Sequence, residues 1–164
     1  MIQPVPKLAA DTPPEARYEA ILASLGGLLA GERNLIANLA NTSALLFEAL
    51  PDLNWAGFYL YDGTELVVGP FQGKPACVRI ALGKGVCGTA ALTRTTQIVT
   101  DVHAFPGHIA CDAASNSEIV VPLVGARGLL GVLDLDSPSI GRFDARDAEG
   151  LEAVARRLIA GSDW

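Results

Sequence analysis

The feature that most restricts this chain is a change in the period of its apolar residues near position 51. Upstream, Tyr18, Ile21, Leu22, Leu25, Leu28 and Leu29 recur at helical spacing. Thr12-Pro13-Pro14-Glu15 reads as the start of that helix, a capping-box pair with proline in the first turn, and Gly26-Gly27 weakens its far end. A second helical segment runs from about Arg33 to Leu50 and stops before Pro51. The period then drops to two. NWAGFYLYDG puts Trp55, Gly57, Tyr59 and Tyr61 on one face and Ala56, Phe58 and Leu60 on the other, before an Asp62-Gly63 turn.

More short strands follow. Glu65 to Gly69 is the hairpin partner, Cys77 to Leu82 a third strand and Gln97 to Thr100 a fourth, with GKGVCGTAAL between them as a glycine loop opening a short helix. Glu118 to Val124 and Gly128 to Asp136 read as a hairpin turned at Gly125-Ala126-Arg127. A closing helix begins after Asp144, with acids early and Arg156-Arg157 late. The stretch from Asp101 to Ser117 has little periodicity and is a candidate functional loop. The order of elements predicts an α+β fold: one domain over residues 15–164 behind an N-terminal arm at 1–14, with a central, mainly antiparallel sheet and helices packed on one face.

Composition narrows the function. A length of 164 residues, half of them apolar and 18% charged, suits one compact core. The net charge is −6 and the lysines and arginines are scattered, which argues against nucleic acid and anionic membrane as partners. MIQPVPKLAADTPP lacks the basic and apolar regions of a signal peptide, and no stretch approaches a membrane span, so a cytoplasmic location is expected. Cys77, Cys87 and Cys111 have neither a disulfide-scaffold pattern nor a zinc-type pair, which leaves redox chemistry open.

Several residues invite chemistry. Asp134 and Asp136 alternate on a strand, so their side chains share a face about 7 Å apart. They mark either the solvated end of that strand or a site. Glu118 begins the preceding strand and can approach them across the ladder; crowded acids raise one another's pKa, so one of them can hold a proton at neutral pH. Cys111 lies in a polar loop, HIACDAASNSEIVVPLV, where a free thiol is a liability unless its reactivity is used. Cys87, near a helix start, either has its thiol pKa lowered by that position or is a buried packing residue, whereas Cys77 in an apolar strand reads as a packing residue. His103 and His108 flank the loop; His108 and Cys111 could form a Cys-His pair or a metal site, but neither spacing matches a known ligand motif. Trp55 and Tyr59 either wall an apolar subsite or belong to the core. The glycines of GKGVCG match no phosphate loop.

The combination of NWAGFYLY, GKGVCG, HIACDAASNSEIVVPL and GVLDLDSPSIGRFDARD resembles the free methionine-(R)-sulfoxide reductase family, a single-domain branch of the GAF fold, from about Tyr18 to Leu158. The resemblance implies a methionine sulfoxide reductase acting on the free R epimer. Cys111 is then the nucleophile, and Glu118, Asp134 and Asp136 orient the substrate and polarise its oxygen. Trp55 and Tyr59 hold the methyl-sulfur end, and Cys77 or Cys87 resolves the oxidised nucleophile, with Cys77 favoured. The resemblance implies thioredoxin as reductant and no metal or organic cofactor, and leaves a homodimer open. The competing reading is a GAF-type ligand sensor, which is expected to need an output domain or a long coupling helix.

Overall fold

A computed structural model of the chain describes residue 5 and residues 7–164. Residues 1–4 and 6 of the expected N-terminal arm, and of the stretch read for a signal peptide, lie outside the described residues. Helix α1 spans Pro14–Leu28 and α2 spans Leu35–Ala49. Six strands follow: β1 Trp55–Tyr61, β2 Glu65–Gly73, β3 Arg79–Ala81, β4 Gln97–Val99, β5 Ser117–Gly125 and β6 Gly128–Ser137. Helix α3, Gly85–Thr93, is inserted between β3 and β4, and α4, Ala145–Gly161, closes the chain.

All strands are antiparallel, in the spatial order β3-β2-β1-β6-β5-β4. The two-residue period of β1, β5 and β6 divides the interior in two. Ala56, Phe58, Ile119, Val121, Leu123, Leu133 and Leu135 point to one side, where α1, α2 and α4 cover them with Ile21, Leu25, Leu39, Leu46, Leu151 and Leu158. Full burial of each large aliphatic or aromatic side chain is worth about 1.5–3 kcal/mol, so this is the main cohesive layer. Trp55, Tyr59, Val120 and Val132 point to the other side, where the short α3 lies with Val86, Cys87, Ala90 and Ala91. The expected α+β sheet protein is what the chain forms, with α3 packed on the second face.

Local chemistry corrects three details. The Thr12–Glu15 capping box does not form. Pro13 is the cap residue of α1 and makes no side-chain cap bond; Pro14 begins the helix without an N–H to satisfy, and the Thr12 N–H goes instead to the Ala9 carbonyl at 3.1 Å. The third strand is only Arg79–Ala81, and Cys77 sits in the segment before it. Helix α4 continues to Gly161, so Arg156 and Arg157 fall short of its last turn; Arg157 Nη1 donates instead to the Leu22 carbonyl of α1 at 2.8 Å. The start of α4 is better defined than its sequence promised, because Asp144 and Asp147 form a reciprocal capping box.

Asp147 also accepts the Tyr18 hydroxyl at 2.8 Å, which ties α4 to α1. This contact requires Gly150, because a Cβ there would be driven into the Tyr18 ring. Gly150→Ala is therefore expected to destabilise the fold by about 1–3 kcal/mol despite alanine's better helix propensity. Thermal melts should show Tm lowered by at least about 3 °C, and an unchanged or raised Tm would contradict the packing described.

Candidate active site

Pairing between β5 and β6 decides what stands on the second face of the sheet. Glu118 is opposite Asp136, Val120 is opposite Asp134, and across β6 the partners of Asp136 and Asp134 on β1 are Trp55 and Gly57. The three acids and Trp55 thus share one patch, with Tyr59 four residues along β1 on the same face. The solvated-strand-end reading of the aspartates fails: Glu118 is 6% exposed, Asp134 5%, and only Asp136 keeps partial access. Val86 and Cys87 of α3 close the patch from above, and the 101–117 loop brings His108, Cys111 and Ser115 to its rim. The resulting pocket measures about 530 Å³ out to its mouth.

Gly57 leaves space between Trp55 and Tyr59 that Phe71 of β2 fills; a Cβ on Gly57 would meet the Phe71 Cα at 2.7 Å. Trp55 stacks on Phe71 and on Tyr59, with ring centroids 5.1 and 5.8 Å apart. The aromatic wall is also a clamp. Trp55 Nε1 donates to the Lys74 carbonyl at 3.1 Å, and the Tyr59 hydroxyl donates to the Cys77 carbonyl at 3.0 Å. Both bonds hold the segment between β2 and β3 over the pocket.

That segment carries Cys77, which is disulfide-bonded to Cys111 with Cα atoms 5.6 Å apart. Cys111 is exposed and Cys77 half-buried. The loop behind Cys111 is anchored by Asn54, whose Nδ2 donates to Asp112 Oδ2 at 3.3 Å and to Ser115 Oγ at 3.0 Å. Cys87 is free and buried, with its Sγ donating to Glu118 Oε1 at 3.8 Å.

The electrostatics follow from burial. The carboxyls of Glu118, Asp134 and Asp136 are each pushed well above the usual range, first by desolvation and then by one another's charge. The Cys87 thiol is pushed up for the same reasons, burial first and then Asp134 and Glu118. This reverses the expectation that a position near the start of α3 lowers its pKa: a buried site packed with acids outweighs the partial charge of a short helix. Donor atoms of Cys87, Glu118 and Asp134 lie within 4.8 Å of one another, close enough to share one proton or one small cation. Asp134 Oδ1 is buried with no hydrogen-bond partner in the protein, an acceptor left for whatever enters the pocket.

All eight residues singled out in the sequence, Trp55, Tyr59, Cys77, Cys87, Cys111, Glu118, Asp134 and Asp136, line this pocket or, for Cys77, are bonded to a residue that does. Sequence reasoning overlooked Asn54 and Ser115, and offered His108 only as the partner of Cys111 in a Cys-His pair or a metal site. Their one signal is position: Asn54 directly precedes β1, and His108 and Ser115 lie within the aperiodic loop.

The GAF domain family matches residues 37–158. The free methionine-R-sulfoxide reductase of Escherichia coli (strain K12) is 56% identical over 141 residues, which cover 86% of this chain and 86% of that protein. A free methionine-R-sulfoxide reductase from Neisseria meningitidis, solved in complex with its substrate, superimposes with a TM-score of 0.90 at 43% identity, over 96% of this chain and 95% of that one. A structure described as that of a GAF sensor protein from Burkholderia vietnamiensis has a TM-score of 0.90 and 62% identity, over 92% of this chain and 96% of that one.

The raised carboxyls have a cost in stability with a definite sign. Above the ordinary glutamate pKa the unfolded chain has released the Glu118 proton while the folded chain retains it, so stability falls as pH rises toward the folded pKa. Glu118→Gln removes that dependence. Melts of the two proteins from pH 4 to pH 9 should show the variant gaining on the parent as pH rises, by several degrees at the alkaline end. A constant difference across the range would mean that Glu118 is ionised when folded.

Proposed function

The chain belongs to the GAF-domain family and, within it, to the free methionine-R-sulfoxide reductases, and from that premise we propose that it reduces free L-methionine-R-sulfoxide to L-methionine through thiol chemistry at Cys111. The observation that carries this reading is the Cys77–Cys111 disulfide at the mouth of a pocket floored by three raised carboxyls. A sulfoxide oxygen leaves sulfur readily only when it is protonated, so an acid that keeps its proton at neutral pH is what the reaction needs beside a thiol. The stacked rings of Trp55 and Tyr59 suit the methyl-sulfur end of the substrate, and the acids suit its oxygen and its ammonium group.

In the first step Glu118 gives its proton to the sulfoxide oxygen as the Cys111 sulfur attacks. Oxygen passes from substrate sulfur to cysteine sulfur: methionine is released, reduced by two electrons, and Cys111 becomes a sulfenic acid, oxidised by two. The Cys77 thiol then attacks the Cys111 sulfur, water leaves, and the disulfide forms. An external dithiol completes the cycle. Cys111 is exposed, so an attacking thiolate can reach the bond, and thioredoxin in a reducing cytoplasm is the reductant we assign. No metal or organic cofactor enters these steps. Cys87 is free but buried on α3 against the acids, which favours Cys77 as the resolving thiol.

The reading is tested on reduced protein given free L-methionine-R-sulfoxide without reductant. The intact protein should release about one equivalent of methionine per chain and lose two thiols, and mass mapping should find them joined as Cys77–Cys111. Cys111→Ser should release none. Cys77→Ser should release its single equivalent and leave a sulfenic acid at Cys111 that dimedone traps. Methionine release by Cys111→Ser, or a Cys87–Cys111 bond in the intact protein, would contradict the assignment of nucleophile or resolving thiol respectively.

A further inference from the structure

The reductase reading leaves one proton without a destination. Glu118 gives its proton to the sulfoxide oxygen, but the Cys111 thiol must lose its own as its sulfur attacks. A thiol that keeps its proton is a weak nucleophile, and carboxyls held in their protonated form do not take that proton. A neutral base within the pocket resolves this.

We propose that His108 is that base: it takes the proton of the Cys111 thiol and hands it to Glu118, a role that rests on the reductase reading above. The geometry carries the inference. His108 Nε2 lies 3.6 Å from Glu118 Oε2, with the two side chains only 14% and 8% exposed. His108 lines the same pocket as Cys111 and stands three residues before it on the same loop. The chain has only one other histidine, His103, whose Nε2 is 2.9 Å from the Asn116 side chain on the exposed side of the loop.

Elimination among the pocket's titratable groups points the same way. Lys84 and Cys87 at the start of α3, Glu118 of β5 and Asp134 and Asp136 of β6 share the pocket with His108, and its own loop adds Asp112. Lys84 is a cation, and burial favours the protonated forms of Cys87, of the three acids and of the Tyr59 hydroxyl of β1. Asp112 is engaged by Asn54 and lies 3.8 Å from Lys74. Burial lowers the pKa of His108 below 6.5, so its imidazole is neutral at physiological pH and free to accept.

The protons then balance. Before attack the site holds Cys111 as thiol, Glu118 as carboxylic acid and His108 as imidazole. After attack it holds a sulfenic acid, a carboxylate and an imidazolium. Transfer of the imidazolium proton across the 3.6 Å gap restores carboxylic acid and imidazole, with no proton drawn from or lost to solvent.

The test is the rate of methionine release in a single turnover by the full chain, with His108→Asn and His108→Gln made in parallel and both checked for an unchanged melt. The expected result is a loss of roughly 10²-fold in rate, with KM within about twofold of the parent. Added imidazole should restore part of the rate in both variants. The parent's rate should fall as pH drops through a value below 6.5, because a protonated imidazole accepts nothing, and both variants should lack that limb. Rates within about twofold of the parent, or a loss that imidazole does not relieve while the acid limb persists, would overturn the role of His108 and leave the reductase reading intact. No methionine from the parent itself would overturn both.

Discussion

Three carboxyls on neighbouring strands share one face of the sheet, and α3 and the 101–117 loop keep most water from them. Such an arrangement is unfavourable for carboxylates and tolerable for carboxylic acids, because desolvation and mutual repulsion both act on the charged form alone. The site therefore stores protons. This single constraint links the other features: Cys87 stays a thiol among the acids, Asp134 keeps an unpaired oxygen, and among the described residues no lysine or arginine forms an ion pair with the trio. Among the described residues its one ion-pair neighbour is His108, whose pKa burial lowers.

The rest of the fold places a thiol above that store. The long helices bury one face of the sheet and fix the register of β1, β5 and β6; a one-residue slip would turn Glu118, Asp134 and Asp136 toward α1 and α4. Trp55 and Tyr59 hold the Cys77 segment through backbone carbonyls, so the second cysteine is positioned by hydrogen bonds that depend little on its own side chain. Asn54 does the same for the loop of Cys111. The disulfide thus joins two segments that are each secured to β1 or to the residue preceding it.

The sheet, its hairpins and the meeting of Glu118 with the aspartates were legible because alternation along a strand is a local signal and a short hairpin turn leaves little freedom in register. Cys87 was misjudged for the opposite reason. Nearness to a helix start is local and visible, whereas burial under a loop 20 residues away is not, and burial is the larger effect. Cys77 looked like a strand residue because ACVRIAL is apolar, yet pairing with β2 begins only at Arg79. His108 and Asn54 act through contacts 10 and 58 residues away, to Glu118 and Asp112, and no period or motif announces such partners.

The central claim is that the pocket keeps protonated carboxyl groups at neutral pH. Infrared difference spectroscopy of the reduced protein at pH 7, comparing the parent with Glu118→Gln and Asp134→Asn, reads this directly. The account predicts carbonyl stretching bands of protonated carboxyls that shift in deuterium oxide, disappear in a variant-specific way and titrate only above neutral pH. Carboxylate bands alone at pH 7 would contradict it, and would leave the sulfoxide oxygen without an acid to protonate it.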